Sequence, residues 1–189
     1  MFHPSTERLI DYWRSKAVND GVPARASVNP GEFLDLLPQV FILGRDGPGR
    51  YPVRLAGGFV TDLHARDLRG EDALGFWALS HRLEVKSALE VARRRGEPTV
   101  ITADIRVITA DIRVIGAPSV GMEVLLAPMV GSEGQVDRFL GLYQPIAMIQ
   151  RLMGRPASEL GVRKIQSLGP ANEESPRLRL ATLHGRRIA

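Results

Sequence analysis

The sequence predicts an α+β fold in which antiparallel strands flank a helical insert. Two short apolar runs, Val40–Leu43 and Tyr51–Leu55, are separated by the turn cluster Gly44–Gly49 and read as a hairpin. Three longer runs, Thr99–Ile115, Met122–Val130 and Phe139–Pro145, read as strands parted by further turn residues. Between the two groups the spacing is helical only. The strand–helix alternation of a parallel doubly wound sheet is absent.

Each element follows from its residues. Pro4 and Ser5 suit a helix start, and Leu9, Ile10, Trp13 and Ala17 share one face up to a stop at Gly21. That face packs either on the chain's own sheet or on a second copy, so Ile10, Trp13 and Ala17 are the candidate oligomer contacts. A short helix around Glu32–Leu37 stops before Pro38. Phe59–His64 and Gly70–Trp77 read as short helical pieces. Ser80 is placed to cap a longer helix through Arg95, with a stripe of Leu83, Val85, Ala88, Leu89 and Ala92. Glu90 and Arg94 are spaced as an i,i+4 pair, and Gly96 ends the helix. Ile146–Met153 reads as a last helical turn. The division expected is an N-terminal helical flank at 1–39, a core at 40–153, and a basic irregular tail at 154–189.

Composition narrows the function. The chain has 189 residues and no cysteine. That excludes disulfides, thiolate metal sites, cysteine nucleophiles and flavin–cysteine photochemistry. The net charge of +4 lies entirely in residues 163–189, where Arg163, Lys164, Arg177, Arg179, Arg186 and Arg187 face only Glu173 and Glu174. A neutral body is not a nucleic-acid footprint, and no nucleic-acid partner is expected. Glu7, Arg8 and Asp11 stand where a signal peptide needs an apolar run. The apolar stretch Val114–Gly131 holds Glu123, Pro118 and Pro128 and suits a hairpin better than a membrane span. The reading is a cytoplasmic protein without membrane insertion.

One feature is exact. Ile101–Val107 reads ITADIRV, and Ile108–Val114 reads ITADIRV again. Seven is odd and strand side chains alternate, so one continuous strand would point the two apolar sets at opposite faces. Either one copy leaves the strand or the strand serves two surfaces, the second in a partner chain. Deleting one copy is expected to leave a folded domain.

Specific residues also carry a resemblance. Tyr51-Pro52-Val53-Arg54-Leu55-Ala56-Gly57, Ala65-Arg66-Asp67-Leu68-Arg69-Gly70 and Phe76-Trp77 follow the pattern YRLAG, GRDLTG, LW. Tyr12-Trp13, Pro23-Ala24-Arg25, Pro30, Leu37-Pro38 and the closing Gly141-Leu142-Tyr143 with Pro145 fit the same scheme. Over roughly residues 8–150 the chain resembles the PAS_5 family of single-domain PAS proteins. It departs at Ala65, where the family has Gly, and at Arg69, where it has Thr. The resemblance implies a PAS fold: a five-stranded antiparallel sheet with helices on one face, plus the N-terminal amphipathic helix. It also implies a small-molecule site between sheet and helices, or pairing with other signalling proteins. The class of role is a bacterial phosphorelay regulator with a histidine-kinase partner, acting as a homodimer.

The candidate ligand residues are Arg66, Asp67, Trp77, His81 and Tyr143. Each has a structural alternative: Arg66 and Asp67 as a turn-holding pair or cap, Trp77 as core. His64 and His81 flank the short helices where some PAS proteins hold haem, against a surface or capping role. No histidine pair has metal-ligand spacing, so no metal site is expected. The Asp62/Asp67 and Asp104/Asp111 pairs lack the setting that acid–base chemistry requires. No nucleophile elbow appears. The expectation is a non-catalytic regulator; the alternative is a haem or nucleotide sensor. The sequence itself names no cofactor.

Overall fold

In a computed structural model, residues 1–18, 21–107, 119–146 and 156–169 are described. One antiparallel sheet organises them. Its strands are β1 (Val40–Gly44), β2 (Val53–Ala56), β3 (Thr99–Val107), β4 (Val120–Val130), β5 (Val136–Pro145) and β6 (Ala157–Ser167), in the order β2-β1-β5-β4-β3-β6. The sheet therefore has six strands where five were expected. The sixth lies inside the stretch read as an irregular tail. It pairs with β3 from Thr99↔Ser167 to Val107↔Ala157.

The helices of the insert cover one face, and the N-terminal helix covers the other. The insert, α2 (Gly58–His64), two 3-10 turns and α3 (Arg82–Arg95), packs on the face presenting Phe41, Leu43, Ile101, Ala103, Ile105, Val124 and Tyr143. The N-terminal helix α1 (Pro4–Ser15) and the 3-10 stretch Pro30–Gln39 pack on the other face, with Val40, Ile42, Val100, Leu125 and Met129. Alternation along each strand supplies both cores.

This settles the amphipathic face of α1. Leu9, Ile10 and Trp13 are buried in the chain's own core. The Trp13 indole N–H donates to the Pro128 carbonyl at 2.7 Å. Ile10 and Trp13 are therefore not oligomer contacts in this arrangement, because the sheet face already covers them. Ala17 lies just past the helix, which ends at Ser15 rather than near Gly21, and is partly exposed. The buried Glu123 carboxylate accepts the His3 backbone N–H at 3.1 Å and pins the helix start to β4.

Three local expectations change. Ser80 does not cap α3, which begins at Arg82 after a 3-10 turn over Leu79–His81. Leu83 points to solvent, because only Val85, Ala88, Leu89 and Ala92 keep the spacing of a single face. Glu90 pairs with Arg93 and Arg45 instead of Arg94. The final turn expected at Ile146–Met153 lies outside the described residues beyond Ile146.

The first repeat copy fills β3. Ile101, Ala103 and Ile105 are fully buried, and Arg106 is exposed. The second copy, 108–114, lies outside the described residues.

Candidate functional site

The site lies between the insert and the sheet, and local chemistry positions its walls. α2 ends at Ala65, whose left-handed backbone (φ 51°) closes the helix. Asp67 Oδ1 then accepts the Arg69 N–H at 3.0 Å, the local turn this residue type favours. Leu68 drops into the core, and Gly70, at φ 83°, returns the chain to β2 by donating its N–H to the Val53 carbonyl at 2.8 Å. The motif Ala65–Gly70 is thus a turn with an apolar plug.

On the sheet side, Gly141 faces Phe41 across β1 and β5. A Cβ there would come within 2.1 Å of the Phe41 ring. Glycine therefore lets Phe41 lie flat over β5, where it meets Tyr143 edge-on at 5.0 Å. On β2, Leu43 sits opposite Val53 and Ile42 opposite Leu55, so Arg54 is bulged out and Val53 turns inward.

These walls enclose an apolar cavity of about 20 Å³, lined by residues that include Phe41, Phe76, Trp77, Leu89 and Tyr143. That is space for about one water. His64 stands behind it, with its ring 4.5 Å from Phe76 and 6.0 Å from Tyr143. It is buried, and among the described residues its Nε2 has no hydrogen-bond partner. Burial, with a smaller effect from Arg66, lowers its pKa to about 4. The imidazole is therefore neutral near pH 7. Burial also raises the pKa of the Tyr143 phenol.

A second polar group ties the lid helix down. Glu90 on α3 accepts the Tyr51 hydroxyl at 2.5 Å, Arg45 at 3.0 Å and Arg93 at 3.1 Å. Desolvation opposes its ionisation, but these three hydrogen bonds outweigh it and hold its pKa at about 2. Desolvation and the Glu90 carboxylate together raise the pKa of Tyr51.

Of the five candidate ligand residues, Trp77 and Tyr143 line the cavity. Arg66 lies outside it, paired with Glu71 at 2.9 Å and 5.9 Å from the Phe76 ring. Asp67 is exposed and occupied by its own turn. His81 is drawn to the sheet edge, where its Nδ1 accepts the Val162 N–H of β6 at 3.2 Å. The Ala78 N–H likewise donates to Leu160 at 2.9 Å. His81 thus helps cover β6, which sequence reading could not include because it gave no strand there. His64 is neither a surface nor a capping residue. Its signal, an apolar neighbour on each flank of a short helix, does not separate a buried histidine from an exposed one. Among the described residues no group of three His, Asp or Glu could hold a metal. No described helix is long and apolar enough to cross a membrane.

An antiparallel sheet with a short-helix insert closed over one face defines a PAS domain, the class of signalling sensor and regulator domains that bind ligands and mediate protein interactions. The chain belongs to the PAS_5 family, described as a PAS domain, whose profile matches residues 1–144. Among solved structures it is similar to light-oxygen-voltage domains. One, from a study of a flavin analogue in the mechanism of such domains, is 14% identical, with a TM-score of 0.46 over 64% of this chain and 86% of that one. The aureochrome1 domain in its dark form is 11% identical, with a TM-score of 0.45 over 66% and 87%. The Rhodobacter sphaeroides protein is 14% identical, with a TM-score of 0.42 over 64% and 69%. No curated protein matches the chain significantly.

Proposed function

We propose that this protein is a non-catalytic signalling regulator that acts through protein–protein contacts in a bacterial phosphorelay, with a cytoplasmic histidine kinase as partner. The filled interior supports this reading most directly. The cavity between the insert and the sheet, about 20 Å³, is far below the roughly 300–1,000 Å³ of an ordinary ligand site; a more open pocket of about 530 Å³, lined by Phe33, Leu37, Val40, Ile42 and Leu140, lies on the opposite face. Phe41, Phe76, Trp77 and Tyr143 occupy the space a guest would need. A homodimer belongs to this reading, through surfaces other than the buried Ile10 and Trp13.

A second reading, a haem or nucleotide sensor, draws on one observation. Among the described residues His64 Nε2 has no hydrogen-bond partner, beside an apolar cavity, and such a group gains by meeting a ligand. A guest of that size requires the insert to move away from the sheet. Trp77, Tyr143 and His64 would then line its site, with Arg66 at the rim.

Native mass spectrometry of the purified chain separates the two. The regulator reading expects subunits at the bare chain mass, and a change in autophosphorylation when the protein is added to its cognate kinase. A stoichiometric haem or nucleotide retained on the chain would overturn it in favour of the sensor.

A further inference from the structure

The repeat is longer than seven residues in its consequences. Val100–Val107 reads VITADIRV, and Val107–Val114 reads VITADIRV as well. These are the residues that fill β3 from its second position to its end. In that slot Val100 is buried toward α1, and Ile101, Ala103 and Ile105 toward the insert. Asp104 pairs with Arg163 of β6, and Arg106 with Glu159 at 3.0 Å. Every one of these side chains recurs seven positions later.

The geometry points to two interchangeable registers of β3 in one chain, with either repeat copy able to fill the slot between β4 and β6. Displacing the whole segment by seven residues preserves facing, since Ile108, Ala110 and Ile112 replace Ile101, Ala103 and Ile105. Asp111 and Arg113 inherit the partners Arg163 and Glu159. The connections permit it. The link to β4 shortens from residues 108–119 to 115–119, still long enough for a hairpin. The link from α3 lengthens from residues 96–98 to 96–105, and added loop length carries only a slowly growing entropic cost.

One position breaks the degeneracy. Thr99 opens β3 in a nearly sealed environment, opposite Leu126 and Ser167. The second register puts Arg106 there. Burying a guanidinium is costly, so the first register dominates. Arg106 sets the balance between the two registers.

Three variants test this by thermal melting and size-exclusion chromatography. Ile112→Asp should melt like the parent. Ile105→Asp puts a charge at a fully buried site, yet it should keep a cooperative melt as a species of the parent's size, because the second copy takes over. Ile105→Asp/Ile112→Asp should lose the melt. Ile105→Asp unfolding as completely as the double variant overturns the proposal. So does an Ile112→Asp that fails to fold, or a double variant that folds normally. Rescue of Ile105→Asp only as a dimer overturns it in favour of strand exchange between chains. The absence of native cysteine allows a direct trap. Thr102 lies opposite Lys164, so Thr109→Cys/Lys164→Cys should form a disulfide in the second register. Crosslinking should rise from a trace in the parent background to most of the protein with Ile105→Asp, and rise in part with Arg106→Thr. No rise in either background also overturns the proposal.

Discussion

The two faces of the sheet are closed by different means. On the α1 face a single helix seats Leu9, Ile10 and Trp13, the indole N–H is satisfied by Pro128, and the buried Glu123 holds the helix start. On the insert face, short helices and turns leave a cavity, with His64 beside it lacking a hydrogen-bond partner at Nε2 among the described residues. The first face has its deepest side chain both packed and hydrogen-bonded. The second keeps the His64 ring buried with no hydrogen-bond partner for its Nε2 among the described residues, which costs stability. The comparison sets a buried carboxylate that is hydrogen-bonded, Glu123 on the α1 face, against a buried imidazole whose pKa is lowered, His64 on the insert face, and the second is the group that answers to pH.

The largest effect should come from emptying the α1 face. Trp13→Ala removes a fully buried side chain and should cost about 3–5 kcal/mol in urea unfolding. A loss below about 1 kcal/mol would mean that α1 is not part of the core.

The insert face should show itself through pH. The His64 pKa is about 4 when folded, against 6.5 for the free group. The unfolded chain therefore binds more protons in that window, and stability falls as pH drops from 6.5 to 4. The shift corresponds to at most about 3 kcal/mol. His64→Phe should remove this part of the pH dependence while leaving stability near neutral pH similar or higher. Superimposable pH profiles for parent and variant would sink the assignment.

The smallest effect is at the rim of the same face. Ala65 holds a left-handed conformation, which strains any L side chain by about 1 kcal/mol or more. Ala65→Gly, the residue the family pattern carries there, should stabilise by up to about 1 kcal/mol, reduced by the greater freedom glycine has when unfolded. Destabilisation on thermal melting would show that the Ala65 methyl makes contacts worth more than its strain.

Much of this arrangement is legible residue by residue. The nearly unbroken apolar runs Val40–Leu43 and Met122–Val130 announce strands because each strand feeds two cores. The stripe Val85, Ala88, Leu89, Ala92 announces which side of α3 is buried. Arg66 and Asp67 suit either a ligand handle or a turn-holding pair, and it is their contacts, Asp67 with the Arg69 N–H and Arg66 with Glu71, that show turn chemistry. His81 resembles a ligand-site residue until β6 is present to receive it. β6 is hard to read because it is an edge strand. Glu159, Arg163 and Lys164 give it a polar profile, and its order depends on pairing with β3, fifty or more residues distant in sequence.

The sequence by itself determined the α+β class, the five strands of the family domain and the duplicated segment. Local patterns suffice for these, because turns and alternating strands are encoded by neighbours. Only the tertiary structure decided that Trp13 faces its own sheet, that His64 is sealed beside a cavity of about 20 Å³, that a sixth strand joins β3, and that the first repeat copy fills it. Each of these depends on which distant surfaces meet, and identical sequence copies cannot choose between themselves except through the neighbours, such as Thr99, that differ.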